Sequence, residues 1–333
     1  MKLRYVMIHL QLNSILRAFA KLIVFLLFGA FLRQIRLRQK NCVDEQCNIN
    51  IGVALFTHRQ IVDDLAFGWS DRTTSRKKHL CSSRALLMEK LSTVCVTGAT
   101  GYIGDESKVQ LLKKLEGADD RLRLFEADLY DAEKFELAIN GCEFVFLVAT
   151  PLLHNPNSQD YINTKTSTEK EFLAYNTKGE KRRIEVVSLV CALVGGNAIL
   201  EYVSGSVSVI ISPLSGQRLP YKQLKLLQEM LGSVPLVHID DVCEAHIFCI
   251  QNDIISERFM CVSQWPVMQE IVDYYELKFT STILLKEVEG DKSVTPCNST
   301  KLLDLGFKYK YSMEQILDGS VEYARRVGDL TDL

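Results

Sequence analysis

Residues 94–104 read Val-Cys-Val-Thr-Gly-Ala-Thr-Gly-Tyr-Ile-Gly, a β-branched apolar run that breaks into glycines at 98, 101 and 104. Such a run predicts a strand that turns at once into a tight loop. Glycine lets the backbone turn sharply and approach a ligand closely, and a helix opening behind the loop would aim its N–H groups and positive dipole end at an anion. Three glycines at this spacing are a weak signal alone. The strand before them and the uncharged residues between them supply the context of a dinucleotide-binding loop.

Composition narrows the class. The 333 residues are 47% hydrophobic and 24% charged, enough for one large or two ordinary soluble domains. A net charge of −2 and a pI near 6.3 argue against a nucleic-acid partner. Ten cysteines are scattered without a Cys-x-x-Cys pair and read as buried thiols. Cys42 and Cys47 have no second pair at ligand spacing, so no metal site is expected.

Residues 1–92 differ from the rest. Leu22 to Leu32 is an unbroken apolar run of eleven between basic residues, Arg17 and Lys21 before it and Arg33, Arg36 and Arg38 after it. A spanning helix needs about 20 apolar residues. The basic stretch from Arg33 to Lys40 replaces the small residues of a signal-peptide cleavage site. The expectation is an amphipathic or irregular extension, with membrane association through 15–38 as the alternative. Residues 41–92 carry polar clusters such as Asp71 to Lys78 and no sustained period, which predicts disorder or loosely attached helix. The domain is expected to begin near Ser92, with a nucleotide-binding part at 93–195 and a substrate-side part at 196–333.

From residue 93 onward the periodicity alternates. Residues 106–116, 132–139 and 161–175 space apolar side chains as helices do, and 121–127, 143–149 and 184–194 read as strands. The last two strands are almost wholly apolar, as in a parallel sheet covered on both faces. Helices at 222–231 and 242–251 follow. The pattern is α/β.

In that order stand VCVTGATGYIG (94–104), RLRLFEADLYD (121–131), GCEFVFLVATP (141–151), DYINTKTSTEKEFLAYN (160–176), EVVSLVCALVGG (185–196), VPLVHIDDVCEAHIFC (234–249) and STKLLDLGFKYKY (299–311). Together they resemble the plant dihydroflavonol reductase and anthocyanidin reductase group of extended short-chain dehydrogenases, over 93–333 nearly end to end. The resemblance implies NADP(H)-dependent reduction of a flavonoid-type small molecule, in the cytoplasm, on a Rossmann-type parallel sheet. It implies Tyr161 of Tyr161-x-x-x-Lys165 as general acid, with Lys165 favouring the phenolate and holding the nicotinamide ribose; the i,i+4 spacing puts both on one helix face. Gly98, Thr100, Gly101, Tyr102, Ile103 and Gly104 would hold the pyrophosphate. Asp128 and Leu129 would meet the adenine, and Val148, Ala149 and Thr150 the cofactor ribose. A helix N-cap is the competing role for Asp128. His238 and His246 are expected to pack helices.

The chain departs from the family twice. After Gly104 it passes directly to Asp105-Glu106, omitting a helix and a strand whose last residue is the arginine for the 2′-phosphate. Between Thr150 and Tyr161 it lacks the strand with the catalytic serine, and no remaining serine takes that place. The expectations are a sheet short of two strands, weak NADP(H) binding and impaired turnover. The alternative function is an inactive nucleotide-binding remnant or an interaction module.

Overall fold

The computed structural model describes residues 4–11, 52–58, 93–97, 118–128, 144–147, 184–252, 257–279 and 300–330, with short pieces around 110–114, 136–142 and 167–176 and at Leu285. Nine strands are assigned among them: β1 (Arg4–Gln11), β2 (Gly52–His58), β3 (Thr93–Thr97), β4 (Arg123–Asp128), β5 (Phe144–Leu147), β6 (Ile184–Cys191), β7 (Leu193–Gly195), β8 (Leu236–His238) and β9 (Arg258–Cys261). Seven form one sheet in the order β4-β1-β3-β5-β2-β6-β9, and β7 pairs with β8 apart from it.

The strands expected from the apolar runs at 121–127 and 143–149 are β4 and β5. They run in the same direction as β3, β6 and β9, whereas β1 and β2 run against all their neighbours. The doubly wound order is 3-2-1-4-5-6. Taking the glycine-loop strand β3 as position 1, β4 stands at 3, β5 at 4 and β6 at 6. Positions 2 and 5 are filled by β1 and β2.

Residues 93–333 thus supply five strands of the described sheet, and the first 92 residues supply the other two. The sheet is α/β and Rossmann-like in order but mixed in direction. Among the described residues, β1 and β2 of the first 92 residues stand in the same sheet as these five strands. β2 is a central strand, paired over seven residues with β6 and over four with β5. The apolar run 22–32 lies outside the described residues. Among those described, no helix is long and apolar enough to cross a membrane.

The run 184–194 was expected to be one strand. It divides at Ala192, whose N–H donates to the Cys261 carbonyl, while the N–H of Leu193 turns to Pro235. The chain thereby leaves the main sheet as β6 and enters the small one as β7. The small sheet joins β7 to β8, and β9 returns to the main sheet.

Four longer helices cover the second half. They are α1 (Arg218–Leu231), α2 (Ile239–Gln251), α3 (Met268–Lys278) and α4 (Met313–Arg326). Local chemistry sets their ends. α1 stops at Gly232 in the left-handed region at φ 69°. His238 caps α2, with Asp240 and Asp241 in the first turn, where carboxylates favour the dipole. Ser312 and Gln315 form a reciprocal box at the start of α4, and Arg325 and Arg326 lie in its last turn. One apolar core joins Val94, Phe146 and Leu189 of the main sheet to Val242 of α2 and Leu317 of α4.

His246, on α2, lies inside this core beside the Phe146 ring and donates from Nδ1 to the Val242 carbonyl at 2.7 Å. Burial pushes its pKa from 6.5 down to about 4. An imidazole held neutral by the fold stabilises above its unfolded pKa, and that contribution is lost as pH falls from about 6.5 toward 4. The full effect is on the order of 3 kcal/mol. The melting temperature of the full chain should therefore fall by several degrees more between pH 7 and pH 4.5 than that of His246→Leu. Equal slopes in the two proteins would show that the ring is not neutralised by burial.

Candidate nucleotide-binding edge

In open α/β sheets the ligand crevice lies beyond the carboxyl ends of the strands, where the order of connection reverses. Here that point lies between β3 and β5. They are parallel neighbours, and Thr97 of β3 stands level with Leu147 of β5 in the last pair of their ladder. In the sequence, Gly98 follows the end of β3 and Val148 the end of β5. β4 ends on the same edge at Asp128, the residue before Leu129. β3, β4 and β5 thus all end on one edge of the sheet.

Of the residues expected to form the site, Asp128 is described as the last residue of β4. Gly98, Thr100, Gly101, Tyr102, Ile103, Gly104, Leu129, Val148, Ala149, Thr150, Tyr161 and Lys165 lie outside the described residues. Their strand frame is what the structure contributes.

The region following Tyr161 and Lys165 is tied to that frame. Residues 169–174 are helical, and Glu169 stands four residues after Lys165 in sequence. Its carboxylate accepts from the Ser188 hydroxyl at 2.5 Å and pairs with the Arg258 guanidinium at 3.1 Å. Ser188 and Arg258 are register partners on β6 and β9. Asn176 grips the backbone of Val186 twice, accepting from its N–H at 2.8 Å and donating to its carbonyl at 2.7 Å. These contacts fasten Glu169 and Asn176 to β6 at Ser188 and Val186, and Glu169 to Arg258 of β9. Sequence reasoning passed over Glu169 and Asn176, because their partners lie on strands whose pairing no local period encodes.

The His238-Ile-Asp-Asp241 segment is structural, as its histidines suggested. His238 Nδ1 accepts from the Asp240 N–H at 3.1 Å, and its ring stacks on Tyr311 with centroids 3.6 Å apart. Asp240 accepts from the Tyr311 hydroxyl, and Asp241 from the Lys310 N–H, both at 3.0 Å. Burial raises the pKa of Asp241. Gly196 lies at φ 102°, and a Cβ there would come within 2.4 Å of His238 Nε2. The turn after β7 is therefore shaped around this ring, and only glycine fits it.

No family model matches the chain. Known proteins resemble it in sequence. A putative anthocyanidin reductase from Ginkgo biloba is 27% identical over 330 residues, covering 72% of this chain and 96% of the relative. A dihydroflavonol 4-reductase from Callistephus chinensis is 25% identical, covering 72% and 88%. Because 72% of 333 residues is about 240, about 90 of the 330 positions matched in the Ginkgo protein face gaps in this chain. Among solved structures, vestitone reductase from alfalfa is 26% identical, with a TM-score of 0.44 over 53% of this chain and 54% of that one.

Proposed function

From a chain that belongs to the anthocyanidin and dihydroflavonol reductase group of extended short-chain dehydrogenases, we infer an NADP(H)-dependent reductase of flavonoid-type small molecules. The observation that carries this reading is the switch point between the parallel neighbours β3 and β5, with β4 ending on the same edge and the glycine motif following β3 in the sequence. That frame suits a dinucleotide: small residues follow β3 where a pyrophosphate must approach backbone, and apolar strands close the floor.

The bound cofactor would supply the hydride. The chain's own residues would supply the rest. Gly98, Gly101 and Gly104 let the backbone approach the phosphates. Tyr161 gives its phenolic proton to the carbonyl oxygen that gains negative charge. Lys165 stabilises the phenolate left behind, lowering a pKa that starts near 10. Glu169 and Asn176 hold the following helix segment against β6 and act as positioning residues. The cytoplasm is the compartment this reading assigns.

One observation favours a second reading, a domain that binds nucleotide without turnover. Only residues 151–160 separate the end of the ribose-side segment from Tyr161, and no residue there replaces the serine that would orient a carbonyl. NADPH consumption with a dihydroflavonol or an anthocyanidin, by the full chain and by Tyr161→Phe, separates the two readings.

A further inference from the structure

Cys191 is the last residue of β6 and Cys261 the last of β9, and the two are register partners on parallel strands. Such partners point to the same face of the sheet, and neighbouring strands lie about 4.8 Å apart. That spacing falls inside the Cα separation of about 4.4–6.8 Å that a disulfide spans. The backbone holds the pair level, since the Ala192 N–H donates to the Cys261 carbonyl at 3.2 Å. Both residues are thiols in this structure.

The side chains are wired together. The Cys261 thiol donates to the Cys191 sulfur, and the Tyr309 hydroxyl donates to the Cys261 sulfur. Tyr309 is fixed in turn by accepting the Val262 N–H at 3.1 Å. Donation to Cys191 and burial push the pKa of Cys261 up, so Cys261 keeps its proton and Cys191 is the attacking sulfur. Both cysteines are buried, which slows any oxidant. The way in is β9, which is four residues long and, among the described residues, an edge strand with β6 as its sheet partner. A short edge strand opens locally without global unfolding.

We propose that Cys191 and Cys261 are a reversible redox site, closing to a disulfide when hydrogen peroxide reaches the pair. The Cys191 sulfur attacks one peroxide oxygen: an S–O bond forms, the O–O bond breaks, and the thiol proton leaves with the second oxygen as water. The Cys261 sulfur then attacks the Cys191 sulfur: the S–S bond forms, the S–O bond breaks, and the departing hydroxide takes the Cys261 proton. Two thiols lose two electrons, and one peroxide becomes two waters. In a reducing compartment such a bond is transient. While it lasts, it pins β9 to β6 beside Ala192, where the chain leaves the main sheet, and closes a loop that carries β7, α1, β8 and α2. The inference is independent of the nucleotide reading.

The test treats the reduced full-length chain with hydrogen peroxide under native conditions, alkylates the remaining thiols, and maps linked peptides by mass spectrometry without reduction. The peptide joining Cys191 to Cys261 should be the dominant linkage, with loss of both thiols, and dithiothreitol should restore them. Cys249 is the nearby competitor, and burial pushes its thiol well up. In Cys191→Ser, Cys261 should be recovered as a free thiol. The same treatment in denaturant, where the ten cysteines meet at random, should give mixed linkages. Mixed linkages from the native chain, Cys261 joined to Cys249 instead, or both thiols recovered unreacted overturns the proposal.

Discussion

Replacing Leu55 by proline is expected to abolish the cooperative unfolding of the full chain. Leu55 is central in β2, opposite Phe146 on one side and Val187 on the other. A proline there removes a ladder donor and places its ring against a neighbouring strand, at a cost of about 3 kcal/mol or more. Against a net stability of about 5–15 kcal/mol this is a large fraction. The topology enlarges it further. Among the described residues, β2 is the only link between β5 and β6 in the sheet order, so losing it separates the four-stranded half β4-β1-β3-β5 from the pair β6-β9. Both new edges would expose unpaired backbone groups. The same reasoning applies to a fragment of residues 93–333, which should melt in a broad transition at low temperature. Leu55→Val, which keeps the N–H, should retain the cooperative transition. Thermal melting followed by circular dichroism is the measurement. A sharp transition in Leu55→Pro at the temperature of the parent would mean that β2 contributes nothing to the fold.

The second large effect concerns turnover. A positioned general acid contributes about 10²–10⁴-fold, provided that its proton lies within hydrogen-bond reach of the substrate oxygen. Tyr161→Phe keeps the ring and removes that proton. If the chain reduces a dihydroflavonol or an anthocyanidin with NADPH, this variant should lose at least a hundred-fold in kcat with NADPH affinity unchanged. Retained NADPH oxidation in Tyr161→Phe would refute the assignment of the acid. Absence of turnover in the parent, with NADPH still bound, would favour the inactive nucleotide-binding reading, traced to the short connection before Tyr161.

Much of the frame was legible from residue 93 onward, because its signals are local. The β-branched run before Gly98 and the apolar segment at 143–149 each announce a buried strand without knowledge of a partner. The break at Ala192 was not legible, since it depends on two remote acceptors, the carbonyls of Cys261 and Pro235. The pairing of β1 and β2 is not legible for a related reason. Arg4–Gln11 alternates Val6, Ile8 and Leu10 with Tyr5, Met7 and His9, and Gly52–His58 is rich in apolar and β-branched residues. Both are short, at eight and seven residues. Nothing local states that their partners lie 82 to 138 residues later, from Gln11↔Thr93 to Gly52↔Val190. Register with Val96, Asp128, Phe146 and Val187 is a property of the assembled sheet. The site divides in the same way. Motifs name Tyr161, Lys165 and the glycines, whereas the grips of Glu169 and Asn176 on β6 emerge only from pairing.

The central claim is that the chain completes its nucleotide-binding sheet with its own first strands, and backbone amide hydrogen exchange of the full-length protein tests it most directly. Amides of a central strand open only with the domain, whereas those of an unattached segment exchange freely. Residues 52–58 should exchange as slowly as 184–191, and 4–11 as slowly as 123–128. Free exchange throughout 4–11 and 52–58, alongside strong protection of 184–191, would contradict the account.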